Sequence, residues 1–415
     1  MINASIITIG DELLIGQVID TNSPWMATEL NKSGIWVKRR TAVGDNREDI
    51  IHALEEESKW ADIILITGGL GPTEDDITKS VLCDHFGGKL VINEEALANI
   101  KAIFEKLDRP LIERNIQQAA VPDNCIVIPN RRGTAPGMWF EKEGKVYISM
   151  PGVPHEMKGM ITEDVLPRLA MRFSMPRIVS HTLLTSGIGE AFLAELIKDV
   201  EAALPSYIKL AYLPNYGMVR LRLTAIGDEK EKIEKETADY FEQLKTKVKE
   251  YLVTDKDETI VQVVSRLIRE QKKTLTTAES CTGGYIAHLI TAETDASAFY
   301  KGSVVGYANE IKENVLHVSP ATLELEGAVS EATVKQMVRG AIEIMQTDYA
   351  IAVSGIMGPG GGSEAKPVGT VWIAVGDKDT IEAQRFHFRF DRLRNIEMTA
   401  NYALNMLRKW IGTKE

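Results

Sequence analysis

Over the first 170 residues, short apolar runs alternate with stretches whose apolar positions recur at helical spacing, and the two periods predict strands and helices in turn. SIITIG (5–10) is a short apolar strand, and TNSPWMATELNKSG (21–34) predicts a helix with Asn22 or Ser23 near its cap, Pro24 in its first turn and Gly34 as its stop. IWVKRR (35–40) reads as a strand, REDIIHALEEESK (47–59) as a helix and ADIILIT (61–67) as a buried strand. DITKSVLCDHFG (76–87) predicts another helix, a helical pair follows through 94–119, and VYISMPG (146–152) returns to strand. Strands alternating with helices imply a mainly parallel sheet covered on both faces, a doubly wound α/β fold.

The pattern changes over 171–252. RIVSHTLLTSG, IKLAYLP and GMVRLRLTAIG predict strands, while GEAFLAELIKDVEAAL and the charged segment 228–252 predict amphipathic helices, together a small α+β module. Charges on most faces of 228–252 mark a solvated helix rather than a partner surface. VTDKDET (253–259) is a polar joint, expected to be crossed by few buried contacts. A second alternating region follows, ending in a helix over 395–410. The expected domains are therefore 1–170, 171–252 and 256–413, the first and last α/β, with no internal repeat.

Composition narrows the classes. A chain of 415 residues suits two or three cores. No run of about 18 apolar residues predicts a membrane span. The opening MINASIITIGDELL reads as a first strand rather than a signal peptide. Cys83, Cys125 and Cys281 are too few and too scattered for a disulfide framework or a zinc site, as expected of reduced thiols in a cytoplasmic protein. A net charge of −11 argues against direct nucleic-acid binding, yet leaves room for phosphate ligands held by backbone N–H groups.

Candidate chemistry gathers first at strand ends in the N-terminal region: ITIGDELLIGQVIDTN, ITGGLGPTEDDITK, NRRGTAPGMW and SMPGVPHEM. Glycines there let backbone approach a phosphate, and paired carboxylates beside them suit a magnesium-type cation. Neither glycine loop is a P-loop or a complete dinucleotide fingerprint. The competing reading makes GGLGPT a tight turn and Asp75 and Asp76 caps of the next helix. GDELLIGQVIDTNS, TGGLGPTEDD, GTAPGM and MPGVPHEM, in that order, resemble the molybdopterin-binding (MoaB/MogA-like) domain in its CinA version. The resemblance implies hydrolysis of ADP-ribose to AMP and ribose 5-phosphate, dependent on a divalent metal (Mg, Mn or Co). It implies Asp11, Asp75 and Asp76 as metal ligands, and Gly10, Asn22, Gly68, Gly69, Gly71, Thr73, Gly133 and Thr134 as substrate contacts. Glu156 is implied as a contact, ligand or base, and His155 reads as a surface or capping residue.

In the C-terminal region TLTTAESCTGGYIAHL sets Ser280 between a strand and a helix, where free N–H groups and the helix dipole would favour an oxyanion. No histidine falls in a neighbouring motif, so a Ser–His–Asp triad is weakly supported, and GYANEIK offers Tyr307 and Lys312 instead. AVSGIMGPGGGSEAKPVGTVW (352–372) is a glycine-rich loop suited to a phosphate or sugar. Arg392 and Arg394 either add charge to that phosphate or form surface salt bridges. TAESCTGG, VVGYANEIK, SGIMGPGGG and KPVGTV resemble the CinA C-terminal domain. That resemblance implies metal-free deamidation of nicotinamide mononucleotide (NMN) to nicotinic acid mononucleotide and ammonia. Ser280 would be the nucleophile, Lys312 its base and Tyr307 a positioning group. Thr282, Gly283, Gly284, Asn309, Gly355, Gly358, Gly360, Gly361, Gly362 and Arg392 would contact substrate. Met357 departs from the small residue usual in the loop and is expected to narrow the pocket. The family further implies a homodimer acting on small nucleotides. A non-catalytic nucleotide-binding scaffold linked to competence or DNA damage is the alternative, and a molybdopterin-handling enzyme a weaker third.

Overall fold

The computed structural model describes residues 2–174, 177–227 and 229–413. They form two compact units, 1–178 with 226–230, and 179–225 with 231–415. No helix among the described residues is long and apolar enough to cross a membrane.

The first unit is built on a six-stranded sheet: β1 (Ile2–Ile9), β2 (Ile35–Val43), β3 (Ile63–Thr67), β4 (Ile126–Ile128), β5 (Gly137–Lys142) and β6 (Lys145–Met150), in the order β2-β1-β3-β6-β5-β4. The pairs joining β2, β1, β3 and β6 are parallel, and β5 and β4 complete the sheet antiparallel. Successive residues of a strand point to opposite faces. Ile6, Leu65 and Ile148 accordingly pack with Met26, Leu30 and Met157 on one face, while Ile7, Ile64 and Ile66 meet Ile50, Leu54 and Leu82 on the other. Two dry faces explain why these strands read as continuous apolar runs. The helix over 21–34 is observed at Asn22–Lys32, and the one expected over 76–87 at Thr78–Phe86.

The second unit holds two sheets. The middle module contributes β7 (Arg177–Ser186), β8 (Ile208–Asn215), β9 (Met218–Gly227) and β10 (Leu252–Thr254), in the order β8-β9-β7-β10. The helix expected from residue 228 begins on Asp228, which lies outside the described residues; Lys230–Lys247 is helical. The other sheet comprises β11 (Leu275–Glu279), β12 (Tyr300–Val305), β13 (Tyr349–Gly355), β14 (Thr370–Gly376) and β15 (Ile381–His387), ordered β12-β11-β13-β14-β15. Its alanine face (Ala278, Ala350, Ala352, Ala374) takes the helix Glu331–Met345 through Val334, Met337 and Val338. The opposite face packs larger side chains against the closing helix, observed at Arg392–Gly412. The joint at 253–259 turns out to be a seam that buried side chains cross. Leu184, Met218 and Val253 share a core with Ile260, Val353 and Leu407, and buried Asn405 donates to Ser186 Oγ at 3.0 Å.

Two candidate active sites

In the first unit, β1, β2, β3 and β6 each release a loop at their carboxyl ends, the edge where open α/β sheets bind ligands. The loops enclose a cleft of about 430 Å³ whose walls include Gly10, Glu12, Asp45, Gly68, Gly69, Gly71, Asp75, Asp76, Gln118, Thr134 and Glu156. Gly68 has φ +115°, and a Cβ there would strike Ile9 O, so only glycine lets the β1 and β3 loops meet as bare backbone. Asp11, Asn22, Thr73 and Gly133 stand outside the walls. Asn22, expected to contact substrate, instead donates through Nδ2 to Gly152 O at 2.7 Å and to Thr67 Oγ1 at 3.4 Å, clasping the ends of β3 and β6. Thr73 is likewise committed: its N–H donates to Asp76 Oδ2 at 2.9 Å, and its hydroxyl to the same oxygen. Asp76 is thus a latch of the glycine loop, neither a cap of the following helix nor a carboxylate with both oxygens free for metal. Gly133 lies behind Glu156, where a Cβ would overlap the carboxyl group.

Asp45 is a residue that sequence reasoning missed. Its N–H donates to Asp11 Oδ1 at 3.2 Å, and Asp11 N–H donates to Asp45 Oδ2 at 3.0 Å. Burial pushes the Asp45 carboxyl above the usual range, and the charges of Asp11, Glu12 and Asp75 push the same way against the Asp11 N–H bond. The available signal was a Gly-Asp pair after each of two neighbouring parallel strands, Gly10-Asp11 and Gly44-Asp45. Among the described residues no three His, Cys, Asp or Glu side chains are grouped to hold a metal by themselves. Asp45 and Asp75 on the cleft wall nevertheless fit a magnesium-type ion, which takes one or two carboxylates and completes its shell with water and substrate phosphate. Glu156 faces the same cleft. Burial raises its carboxyl pKa, opposed by the bond that Glu156 Oε2 accepts from Asn130 Nδ2 at 2.6 Å.

In the second unit Ser280 follows β11 directly and is buried. Glu279 of β11 pairs with Val305 of β12, so Ser280 and Gly306 stand side by side where the two parallel strands end. Lys312 reaches that point from the short helix Asn309–Asn314. It is 1% exposed, and its Nζ donates to Gly306 O at 2.8 Å and Tyr307 O at 3.1 Å. Burial pulls its pKa below the ordinary 10.5, and the neighbouring Cys281 opposes that only in part. No hydrogen bond joins Lys312 to Ser280. Cys281 belongs to the hydrophobic core, and burial lifts its thiol to about 12. The exposed Tyr307 accepts from Arg392 at 3.0 Å, and Arg392 also donates to Gly358 O at 2.8 Å. Arg392 therefore ties the glycine-rich loop to the Tyr307 turn and forms no salt bridge among the described residues, whereas Arg394 stacks on Phe390 with 4.2 Å to the ring centroid. His288, His317 and His387 are all exposed.

Three readings change here. Met357 does not narrow a pocket: it is buried in the core, and its carbonyl accepts from the fully buried Asn395 at 3.1 Å. Gly360, Gly361 and Gly362 lie on an exposed stretch, while Gly358 is buried beside Arg392's anchor. The helix Tyr285–Thr291 does not offer open N–H groups either. Glu279, fully buried, accepts from the N–H groups of Gly284, Ile286 and Ala287 at 3.1, 3.0 and 2.8 Å, and from the Thr282 hydroxyl at 2.6 Å. Glu279→Ala is expected to leave those donors dry and to lower unfolding stability by about 3 kcal/mol or more. Urea denaturation checks this, and an unchanged midpoint would contradict it.

Comparisons with known proteins match three parts of the chain. Residues 5–171 match the family described as "Probable molybdopterin binding domain", 180–254 the "Damage-inducible protein CinA KH domain", and 257–411 the "CinA C-terminal domain". A "CinA-like protein" of Cytophaga hutchinsonii is 46% identical over 408 residues, covering 98% of both chains. One from Flavobacterium psychrophilum is 42% identical over 410 residues, again covering 98% of both. A solved CinA superfamily structure from Klebsiella pneumoniae shares 39% identity with a TM-score of 0.36, covering 37% of this chain and 96% of its own.

Proposed function

The chain belongs to the CinA family, and from that premise we propose that it is a bifunctional hydrolase of pyridine-nucleotide recycling. Its C-terminal site deamidates NMN, and its N-terminal cleft hydrolyses ADP-ribose to AMP and ribose 5-phosphate. The observation that carries the first activity is Lys312, a buried amine held by two carbonyls beside Ser280 with its ammonium form disfavoured.

The amide carbon of the nicotinamide ring is attacked by Ser280 Oγ while neutral Lys312 Nζ takes the hydroxyl proton. Collapse of the tetrahedral adduct breaks the C–N bond, and Lys312 returns the proton so that ammonia leaves. Water then attacks the acyl-serine ester, giving the carboxylate and restoring Ser280. Because Glu279 occupies the helix N–H groups, the amides of Cys281 and Thr282 in the turn itself are the donors assigned to the oxyanion. Arg392, fixed by Gly358 O and Tyr307, is the cation assigned to the nucleotide phosphate.

For the N-terminal activity, Asp45 and Asp75 on the cleft wall would hold the divalent ion, with Asp11 bonded to Asp45 behind them, and the ion would supply charge neutralisation at the pyrophosphate. Glu156, with its raised carboxyl pKa, is the base assigned to the attacking water. EDTA is expected to abolish ADP-ribose hydrolysis, with recovery on excess Mg, and to leave ammonia release unchanged. Loss of both activities together would contradict the two-chemistry assignment. A nucleotide-binding scaffold would release neither AMP nor ammonia.

A further inference from the structure

In the second unit one side chain ties the glycine-rich loop to the turn before the closing helix. Asn395, three residues beyond Arg392 on the helix Arg392–Gly412, is fully buried. Its Nδ2 donates to Met357 O at 3.1 Å and to Phe390 O at 2.9 Å, and its Oδ1 accepts from the Phe390 N–H at 3.2 Å. Both partners flank the anchorage of Arg392. Met357 precedes Gly358, whose carbonyl accepts from Arg392 Nη1 at 2.8 Å, and Phe390 stands two residues before Arg392 in the chain. An ionised aspartate could not replace this side chain, because two carbonyls call on the donors of an amide. Arg392 itself is exposed, and Gly358 O and Tyr307 use only part of a guanidinium's donor set, which leaves N–H groups for a ligand. A long side chain gives up rotamer freedom on binding unless its direction is already set. Asn395 holds the two stretches of backbone on which that direction depends, and none of its side-chain bonds involves Ser280 or Lys312.

We propose that Asn395 is a positioning residue of the deamidase, one that fixes Arg392 for the nucleotide's phosphate and so sets affinity rather than turnover. The assignment rests on the NMN-deamidase reading of this site. Without the Asn395 amide, the Met357 and Phe390 carbonyls lose their shared donor, and the loop and the turn are no longer held together. Arg392 then keeps its charge but not its direction. The phosphate is remote from the amide being cleaved, so the loss falls on substrate and transition state alike. Such a loss of uniform binding raises KM and spares kcat.

The test is steady-state ammonia release from NMN by the full chain, with Asn395→Ala, Arg392→Ala and the double variant compared in one cycle. Arg392→Ala is expected to raise KM by about thirtyfold, as for loss of a charge-assisted bond, and Asn395→Ala by about tenfold. Each is expected to keep kcat within about threefold of wild type, which also reports a folded chain. In the double variant KM is expected to match that of Arg392→Ala alone, because a residue that acts through Arg392 then has nothing left to position. Asn395→Leu, which keeps the volume and removes the amide, is expected to behave as Asn395→Ala does. KM effects that multiply in the double variant, a fall in kcat with KM unchanged, an unchanged KM, or unfolding of both Asn395 variants each overturn the proposal. Wild type that releases ammonia while Arg392→Ala leaves KM unchanged removes the phosphate role of Arg392 and this proposal, and leaves the deamidase reading standing. Wild type that releases no ammonia removes the deamidase reading, and this proposal with it.

Discussion

Ser280→Ala is expected to abolish ammonia release from NMN, while Cys281→Ala leaves it within a few-fold of wild type. Cysteine is intrinsically the better nucleophile, and the two residues are adjacent, so the order is not obvious from sequence. The structure separates them by environment. Cys281 is packed in the core with its thiol lifted to about 12, so its reactive thiolate is scarce at neutral pH. Its Sγ also lies close to Gly355, facing the strand end rather than open space. Ser280 stands beside Gly306, the residue whose carbonyl anchors Lys312. Removing a nucleophile from such a pair costs on the order of 10⁶ in kcat where it has been measured in a serine hydrolase, well beyond any packing effect of Cys281→Ala. Steady-state ammonia assays on both variants decide it, and the reverse pattern sinks the assignment.

Lys312→Arg is expected to lower kcat for deamidation by at least about a thousandfold with a much smaller change in KM. Arginine keeps the charge, but with a pKa above about 12 it cannot serve as a base. In the native chain burial works against the ammonium, so Lys312 reaches its neutral form at lower pH than an ordinary lysine. The sign follows directly: activity requires the neutral amine, so kcat/KM rises with pH and levels off above the lowered pKa. The rising limb should therefore lie below pH 10.5, the ordinary lysine value. If Lys312 only paired with the substrate phosphate, the variant would raise KM and spare kcat. A pH–rate profile for wild type and a kcat/KM split for the variant distinguish the two.

What the sequence made legible depended on how far each residue's partner lies along the chain. The parallel strands were readable because burial on both faces gives unbroken apolar runs such as IILIT at Ile63–Thr67. The antiparallel strands Ile208–Asn215 and Met218–Gly227 were legible as well, but others were not. Ile381–His387 loses its alternation at the successive exposed residues Gln384 and Arg385, and Leu90–Ile92 and Ala120–Pro122 are too short for any period to register. In the sites, motif glycines and Ser280 were visible, but the holders were not. Glu279 read as the last residue of a strand, and its role emerges only when the next turn folds back to place three N–H groups on its carboxylate. Arg392 was visible as a charge, yet its partners lie 34 and 85 residues away. Asp45 gains its meaning from Asp11 across paired strands. Asn22 and Thr73 carried the right chemistry for substrate contacts, but Asn22 Nδ2 bonds Gly152 O, 130 residues away, and Thr73 bonds Asp76 in its own loop.

The most direct measurement is ammonia release by the purified full-length chain from NMN with EDTA in excess. The account predicts one ammonia per nicotinic acid mononucleotide formed, at a rate unaffected by the chelator and absent in Ser280→Ala. No ammonia from the wild-type chain, or a rate that survives in Ser280→Ala, would contradict it.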